Sequence, residues 1–104
     1  MALMQITLIP LGRGESVGEY IADTEHYLRQ RNISHTLHDM GTIVHGPVEE
    51  LLQLAGQLHR LPFNRGARRV ITHITIDDRR DAERKLGEKK QAVLDLLEDS
   101  GQVS

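Results

Sequence analysis

A chain of 104 residues, 38% of them hydrophobic, has room for one domain around a single core; with aromatics at 3% that core is aliphatic, and the usual stacking platforms for bases or sugars are nearly missing. Thirteen lysines and arginines against fifteen aspartates and glutamates leave a net charge of -2, which gives no general attraction for nucleic acid or an anionic membrane. No apolar run approaches the ~20 residues of a membrane helix, the first ten residues lack the basic start and small-residue cleavage site of a secretory signal, and cysteine is absent, so one cytoplasmic domain over residues 1–104 is expected.

Met4–Pro10 alternates Met4, Ile6 and Leu8 against Gln5, Thr7 and Ile9, the pattern of a strand, here a central one stopped by Pro10, Gly12 and Gly14. Ser16 with Glu19 forms a capping-box pattern, and Val17, Tyr20, Ile21, Thr24 and Leu28 recur at helical spacing to Arg31. Ser34–His38 and Thr42–His45, joined through Asp39, Met40 and Gly41, read as a β-hairpin. Gly46-Pro47 opens a second helix with Glu49 and Glu50 in its first turn and Val48, Leu51, Leu52, Ala55 and Leu58 on one face; Pro62 and Gly66 are expected to bracket the loop that follows. Arg68–Arg80 then alternates with a strand's period, Val70, Thr72, Ile74 and Ile76 against Ile71, His73 and Thr75, and apolar residues on both faces predict an interior strand. Asp78 or Asp81 can cap a third helix running to about Glu98, with Ala82, Leu86, Val93 and Leu97 on one side.

The order strand, helix, strand, strand, helix, strand predicts an α+β fold, a ferredoxin-like βαββαβ sandwich with a four-stranded antiparallel sheet and an additional C-terminal helix. Its two crossover helices clothe one side of the sheet, and the bare side, carrying Ile9 and Ile71, predicts at least a homodimer. The third helix either folds onto that bare side or reaches a neighbouring subunit.

Six histidines invite a metal reading, since His35, His38 and His45 come from one hairpin. No H-E-x-x-H spacing and no cysteine supports it, so neither metal nor cofactor is expected. The glycines and Arg13 before the first helix can hold an anion on free backbone N–H groups, but the favoured reading is a loop and cap, since the turn needs the glycines and the Ser16 cap whether or not anything binds. Arg13 after the first strand is also the placement found in acylphosphatases, but the asparagine that such an enzyme needs on a later strand is missing, Asn32 and Asn64 both falling in connections. RNA-recognition modules stack bases on strand aromatics; here Tyr20, Tyr27 and Phe63 lie on the first helix or in a loop. Arg68, Arg69, Asp77, Asp78, Arg79, Arg80 and Asp81 crowd the ends of the long strand and read as solvated rims or contacts between subunits. No nucleophile with its base and no close carboxylate pair can be argued, so no catalysis is expected.

Met40–Gly46 is more pointed. Thr42 and Val44 face one side of the sheet and Ile43 and His45 the other, so one pair looks at the bare face. A hydroxyl or an imidazole in an aliphatic surround is the material of a small-molecule pocket.

Taken together, Pro10-Leu11-Gly12 with Gly14 and Ser16-Val17, Tyr20-Ile21-Ala22, Met40-Gly41-Thr42 with Gly46, His59 and Phe63, Gly66 with Arg69-Val70 and Thr72, and Ile76–Asp81 with Glu88-Lys89 and Val93 resemble the thiamine-binding protein family, also called MTH1187/YkoF-like and formerly an uncharacterised group. The resemblance implies a domain that pairs sheets into a homodimer or homotetramer through the open sheet face. It also implies a site for thiamine or its hydroxymethylpyrimidine half, with no catalytic step. Carried onto this chain, it implies Thr42 as the first ligand contact, with Leu11, Ser16 and Met40 around it. One departure stands out. Family members usually carry a glutamate before the glycine matching Gly46, where this chain has His45, and a proline where it has Asp39. A carboxylate supplies acceptors and negative charge to an aminopyrimidine or a thiazolium; an imidazole supplies neither in the same measure, which implies weaker thiamine binding or another planar heterocycle. The alternatives are an oligomeric structural or regulatory module without a metabolite, and a small acylphosphatase-like hydrolase using Arg13.

Overall fold

A computed structural model describes residues 1–12, 14, 17–81 and 86–99. The elements in order are β1 (Ala2–Pro10), α1 (Gly18–Gln30), β2 (His35–His38), β3 (Gly41–Gly46), α2 (Val48–Asn64), β4 (Val70–Asp77) and α3 (Glu88–Asp99). The four strands form one antiparallel sheet in the order β2-β3-β1-β4. This is the expected α+β ferredoxin-like arrangement, with β1 central and a helix added after β4.

Alternation along β1 sends Ala2, Met4 and Ile6 into the core while Gln5 and Ile9 stay exposed. The register carries the same division across the sheet: Met4 lies opposite Val44 and Ile76, Ile6 opposite Thr42 and Ile74. α1 presents Tyr20, Thr24 and Leu28, spaced four apart, and α2 presents Leu51, Leu54, Ala55, Leu58 and Pro62. One helical stripe from each therefore meets the even-numbered side of β1, and the core is the cluster of Met4, Ile6, Leu28, Val44, Leu51, Leu54 and Leu58. Burying a leucine or methionine of this kind contributes roughly 1.5–3 kcal/mol.

Three expectations change. Residues 70–77 form an edge strand, not an interior one: β4 pairs only with β1, because the second crossover returns the chain to the outside of β1 while the hairpin occupies its other side. The apolar residues on both its faces therefore do not mean burial, and Ile71 and Ile74 are exposed. Pro62 does not end α2, which runs on to Asn64; proline in a last turn removes one N–H at the point where the helix is about to stop anyway. The stop is Gly66, at φ +102°, with the Ala67 N–H donating to the Pro62 carbonyl. α1 closes the same way, through Asn32 at φ +53° and an Ile33 N–H to Leu28 carbonyl bond. Finally, α3 begins at Glu88 rather than near Asp78 or Asp81, and none of its residues is buried. Val93, Leu94, Leu96 and Leu97 form an exposed apolar stripe. Lys89 reaches Asp77 at 3.9 Å. Ala82 lies outside the described residues, as do Arg13 and Ser16, so the capping box falls there too; the residue preceding α1 is Val17, which makes no side-chain cap.

Candidate functional site

β1 is longer than its partner β3. Their register ends at Ile6 opposite Thr42, and β1 continues through Leu8 to Pro10 with no β3 residue beside it. The space left between that overhang, α1 and the turn joining β2 to β3 is a cavity of about 260 Å³. Its base is Ile6, Leu8 and Thr42, α1 supplies Tyr20, Ile21 and Thr24 with Val17 just before it, and Leu37, His38, Asp39 and Met40 form the lip. The surround is chiefly aliphatic, as small-molecule sites are.

Thr42 is 6% exposed; among the described residues no hydrogen bond to its hydroxyl is seen, and the oxygen is not sealed from solvent but opens on the cavity. The other threonine hydroxyls at the cavity are engaged: Thr24 Oγ1 donates to the Tyr20 carbonyl at 3.3 Å and Thr7 Oγ1 to the Met40 carbonyl at 2.9 Å. A hydroxyl at the wall of an apolar cavity with no protein partner is open to a hydrogen bond from a ligand, a bond of this kind contributing roughly 0.5–1.5 kcal/mol net. Gly41 holds the lip in place. At φ +154° it lies so close to β1 that a Cβ there would meet Thr7 Oγ1 at 2.7 Å and the Ile6 carbonyl oxygen at 3.0 Å.

The sequence-derived site residues divide. Thr42 and Met40 come together at the cavity, Met40 as an exposed lip residue. Leu11 sits in the turn after β1, its N–H donating to the Arg69 carbonyl at 2.9 Å, and does not line the cavity. Ser16 is outside the described residues. His45 is separated from Thr42: the register places His45 opposite Leu3 and Thr42 opposite Ile6, on opposite faces. It is Ile43 and His45 that look onto the open face, and Thr42 that looks under α1. A pocket at Thr42 is thus on the helix-covered side of the sheet, contrary to the expectation of a hollow in the bare side. Tyr20, Ile21, Thr24 and Leu37 were legible only as packing residues; the signal for a wall is a stripe on α1 that mixes an aromatic with a threonine.

The remaining candidates are accounted for locally. His35 turns toward α1, where Nε2 lies 2.9 Å from Glu25 Oε1 and Nδ1 2.6 Å from the Ile33 carbonyl. His38 and His45 belong to the opposite face, and among the described residues no three His, Asp or Glu side chains gather to hold a metal. The His35 hydrogen bond, aided by Arg29 at 3.0 Å, holds the Glu25 carboxyl below its ordinary range. Arg65 at the end of α2 grips Asp23 with two bonds of 2.6 and 2.8 Å and lowers that carboxyl likewise, tying α2 to α1. A wider, shallower hollow near Val48 and Arg79 is lined by charges that already pair, Arg79 with Asp81 at 2.6 Å and Arg80 with Asp78 at 3.1 Å.

The site is thus an apolar cavity beside Thr42 in a ferredoxin-like α+β sandwich. The chain matches the model of the thiamine-binding protein family over residues 4–94 and belongs to that family. It is 40% identical to a UPF0045 protein of Staphylococcus xylosus over 106 residues, covering 97% of this chain and 99% of the relative. It is 34% identical to a UPF0045 protein of Methanothermobacter thermautotrophicus, covering 93% and 100%. In structure it resembles the hypothetical protein MJ1052 of Methanocaldococcus jannaschii at a TM-score of 0.80 and 27% identity, over 88% of this chain and 94% of that one. A Thermotoga maritima protein thought to serve thiamine biosynthesis or salvage shares the fold at a TM-score of 0.73 and 18% identity, over 88% and 97%. No helix among the described residues is long and apolar enough to cross a membrane.

Proposed function

We propose that this protein binds thiamine, or its hydroxymethylpyrimidine half, in the cavity at Thr42, performs no reaction on it, and works as a homodimer or homotetramer closed through the open sheet face. The observation that carries the reading is the Thr42 hydroxyl, without a hydrogen-bond partner among the described residues, opening on an apolar cavity in a chain of the thiamine-binding family. The volume favours one ring. At about 260 Å³ the cavity falls just below the ~300–1,000 Å³ of drug-sized pockets, so a pyrimidine fits within it and a thiazolium would extend past Met40. Thr42 bonds a ring nitrogen or amine, Tyr20 and Leu8 sandwich the ring, and Met40 folds over its edge. His45, on the other face, serves the contact between copies instead of the ligand, alongside Ile9, Ile43 and Ile71.

Titration calorimetry with thiamine and with hydroxymethylpyrimidine tests this. Heat is expected for both, and Thr42→Val should weaken binding about tenfold, the worth of one hydrogen bond, with little change in melting temperature. No heat from wild-type protein at millimolar ligand would refute the reading and leave an assembly module.

A further inference from the structure

The cavity at Thr42 is chiefly apolar, and its lip carries a carboxylate. Of the described residues that line it, Asp39 is the one acid, and none is a lysine or arginine. The acids of the adjoining helix are already paired: Glu19 and Asp23 bond Arg65 at 3.2 and 2.6 Å, and Glu25 bonds His35 and Arg29. Asp39 is exposed, and among the described residues no hydrogen bond or ion pair engages its carboxylate. Aspartate is common in turns because its side chain bonds the backbone two residues on. No such bond is made here, so the turn itself does not account for the charge.

The backbone fixes where that charge stands. Asp39 and Met40 are the whole connection between β2 and β3, whose last pair is His38 opposite Gly41. Thr7 Oγ1 holds the Met40 carbonyl at 2.9 Å, and Gly41 packs against β1 too closely to admit a Cβ without a shift. A two-residue turn pinned in this way keeps Asp39 beside the mouth of the cavity. Met40 is the residue past which a two-ring ligand must extend, since about 260 Å³ holds one ring, and Asp39 is its neighbour in the same turn. Beside apolar walls a carboxylate attracts a cation more strongly than it does in open water.

We infer that Asp39 selects the ligand by charge: the ring that protrudes from the cavity is preferred as a cation, such as an N-alkylated azolium, over a neutral ring of the same shape. The inference rests on the reading of the Thr42 cavity and names the chemical class that this cavity takes. Thr42 and the apolar walls recognise the enclosed ring, and Asp39 recognises the protruding one.

Two ligands of one shape separate charge from everything else: thiamine, whose thiazolium is cationic, and its analogue in which a neutral thiophene replaces the thiazolium. Titration calorimetry of wild type, Asp39→Asn and Asp39→Glu with both gives a cycle in which differences of hydrophobicity between the ligands cancel. Asp39→Asn should weaken thiamine about fivefold, the upper end for an exposed ion pair, and change the neutral analogue by less than about twofold. Asp39→Glu keeps the charge and should stay within about twofold of wild type for both. Salt at about 0.5 M should shrink the wild-type preference for the cation, because screening acts on the charge alone. If Asp39→Asn weakens both ligands alike, or neither, the role of Asp39 is overturned while the cavity stands, since Thr42→Val reports on the cavity through its own tenfold loss. No heat from either ligand with wild-type protein overturns the cavity and this inference with it.

Discussion

The two faces of the sheet are made from the same strands yet have opposite fates. On the helix side Met4, Ile6 and Val44 are sealed; on the other, one residue along, Gln5 and Ile9 lie in the open with Ile71 beside them. Leucine and isoleucine occur on both, so hydrophobicity alone does not say which side is the core. What decides is which side receives the stripes of α1 and α2, and both crossovers arrive on the even-numbered side of β1. The open face is thus an apolar surface awaiting cover, and α3, with no buried residue, carries a second one.

The sharpest way to break that comparison is to truncate one residue on each side. Met4→Ala should cost about 2–5 kcal/mol in urea unfolding, because a fully buried side chain leaves a cavity the packed helices cannot close. Ile9→Ala should cost under about 1 kcal/mol in the monomer, being more than a third exposed, and more as protein concentration rises if copies close the open face. Equal costs for the two at low concentration would show that the faces do not differ as described.

The lip of the cavity is the next place to press. Gly41→Ala places a methyl group against Thr7 Oγ1 and the Ile6 carbonyl, and should lower stability by roughly 1–3 kcal/mol, read as a drop in melting temperature. Adding Thr7→Ala removes the side-chain clash but not the backbone one, so only part of the loss should return. A full return would mean that the backbone approach imposes nothing.

How much of this was legible in the residues follows the same division. Period-two alternation in 4–10 and 70–76 and helical spacing in 17–28 and 48–58 are strong local signals, and each became an element of that type. The position of β4 at the edge was not local information: it is set by where the second crossover lands. That Thr42 looks under α1 while His45 looks away was legible as an either-or, since the alternation is certain and its phase is not. The phase is supplied by Val44 beside Thr42, which packs with Met4, and that requires the register of β1 on β3. The cavity itself could not be read, because it arises from β1 outrunning β3, a difference in length between two strands far apart in sequence.

The smallest expected effect concerns how α1 is fastened to β2. Glu25 sits between His35 Nε2 and Arg29 Nε, with its second oxygen buried and unbonded among the described residues. The hydrogen bond from His35 first, then that from Arg29, keep its carboxyl ionised to lower pH than in the unfolded chain. A carboxyl lowered by folding contributes stability that is fully present above its unfolded value near 4.5 and is lost as pH falls through the folded value, where the folded protein takes up the proton as well. Wild-type protein should therefore lose on the order of 1 kcal/mol more than Glu25→Gln between pH 5 and pH 3, measured by urea midpoints at constant ionic strength. Asp23, lowered by Arg65, titrates in the same window but is present in both proteins, so the difference between them belongs to Glu25. Parallel pH profiles would mean that the contact between α1 and β2 is held by Leu28 and its apolar neighbours alone, and that the covered face needs no charge to keep its helix in place.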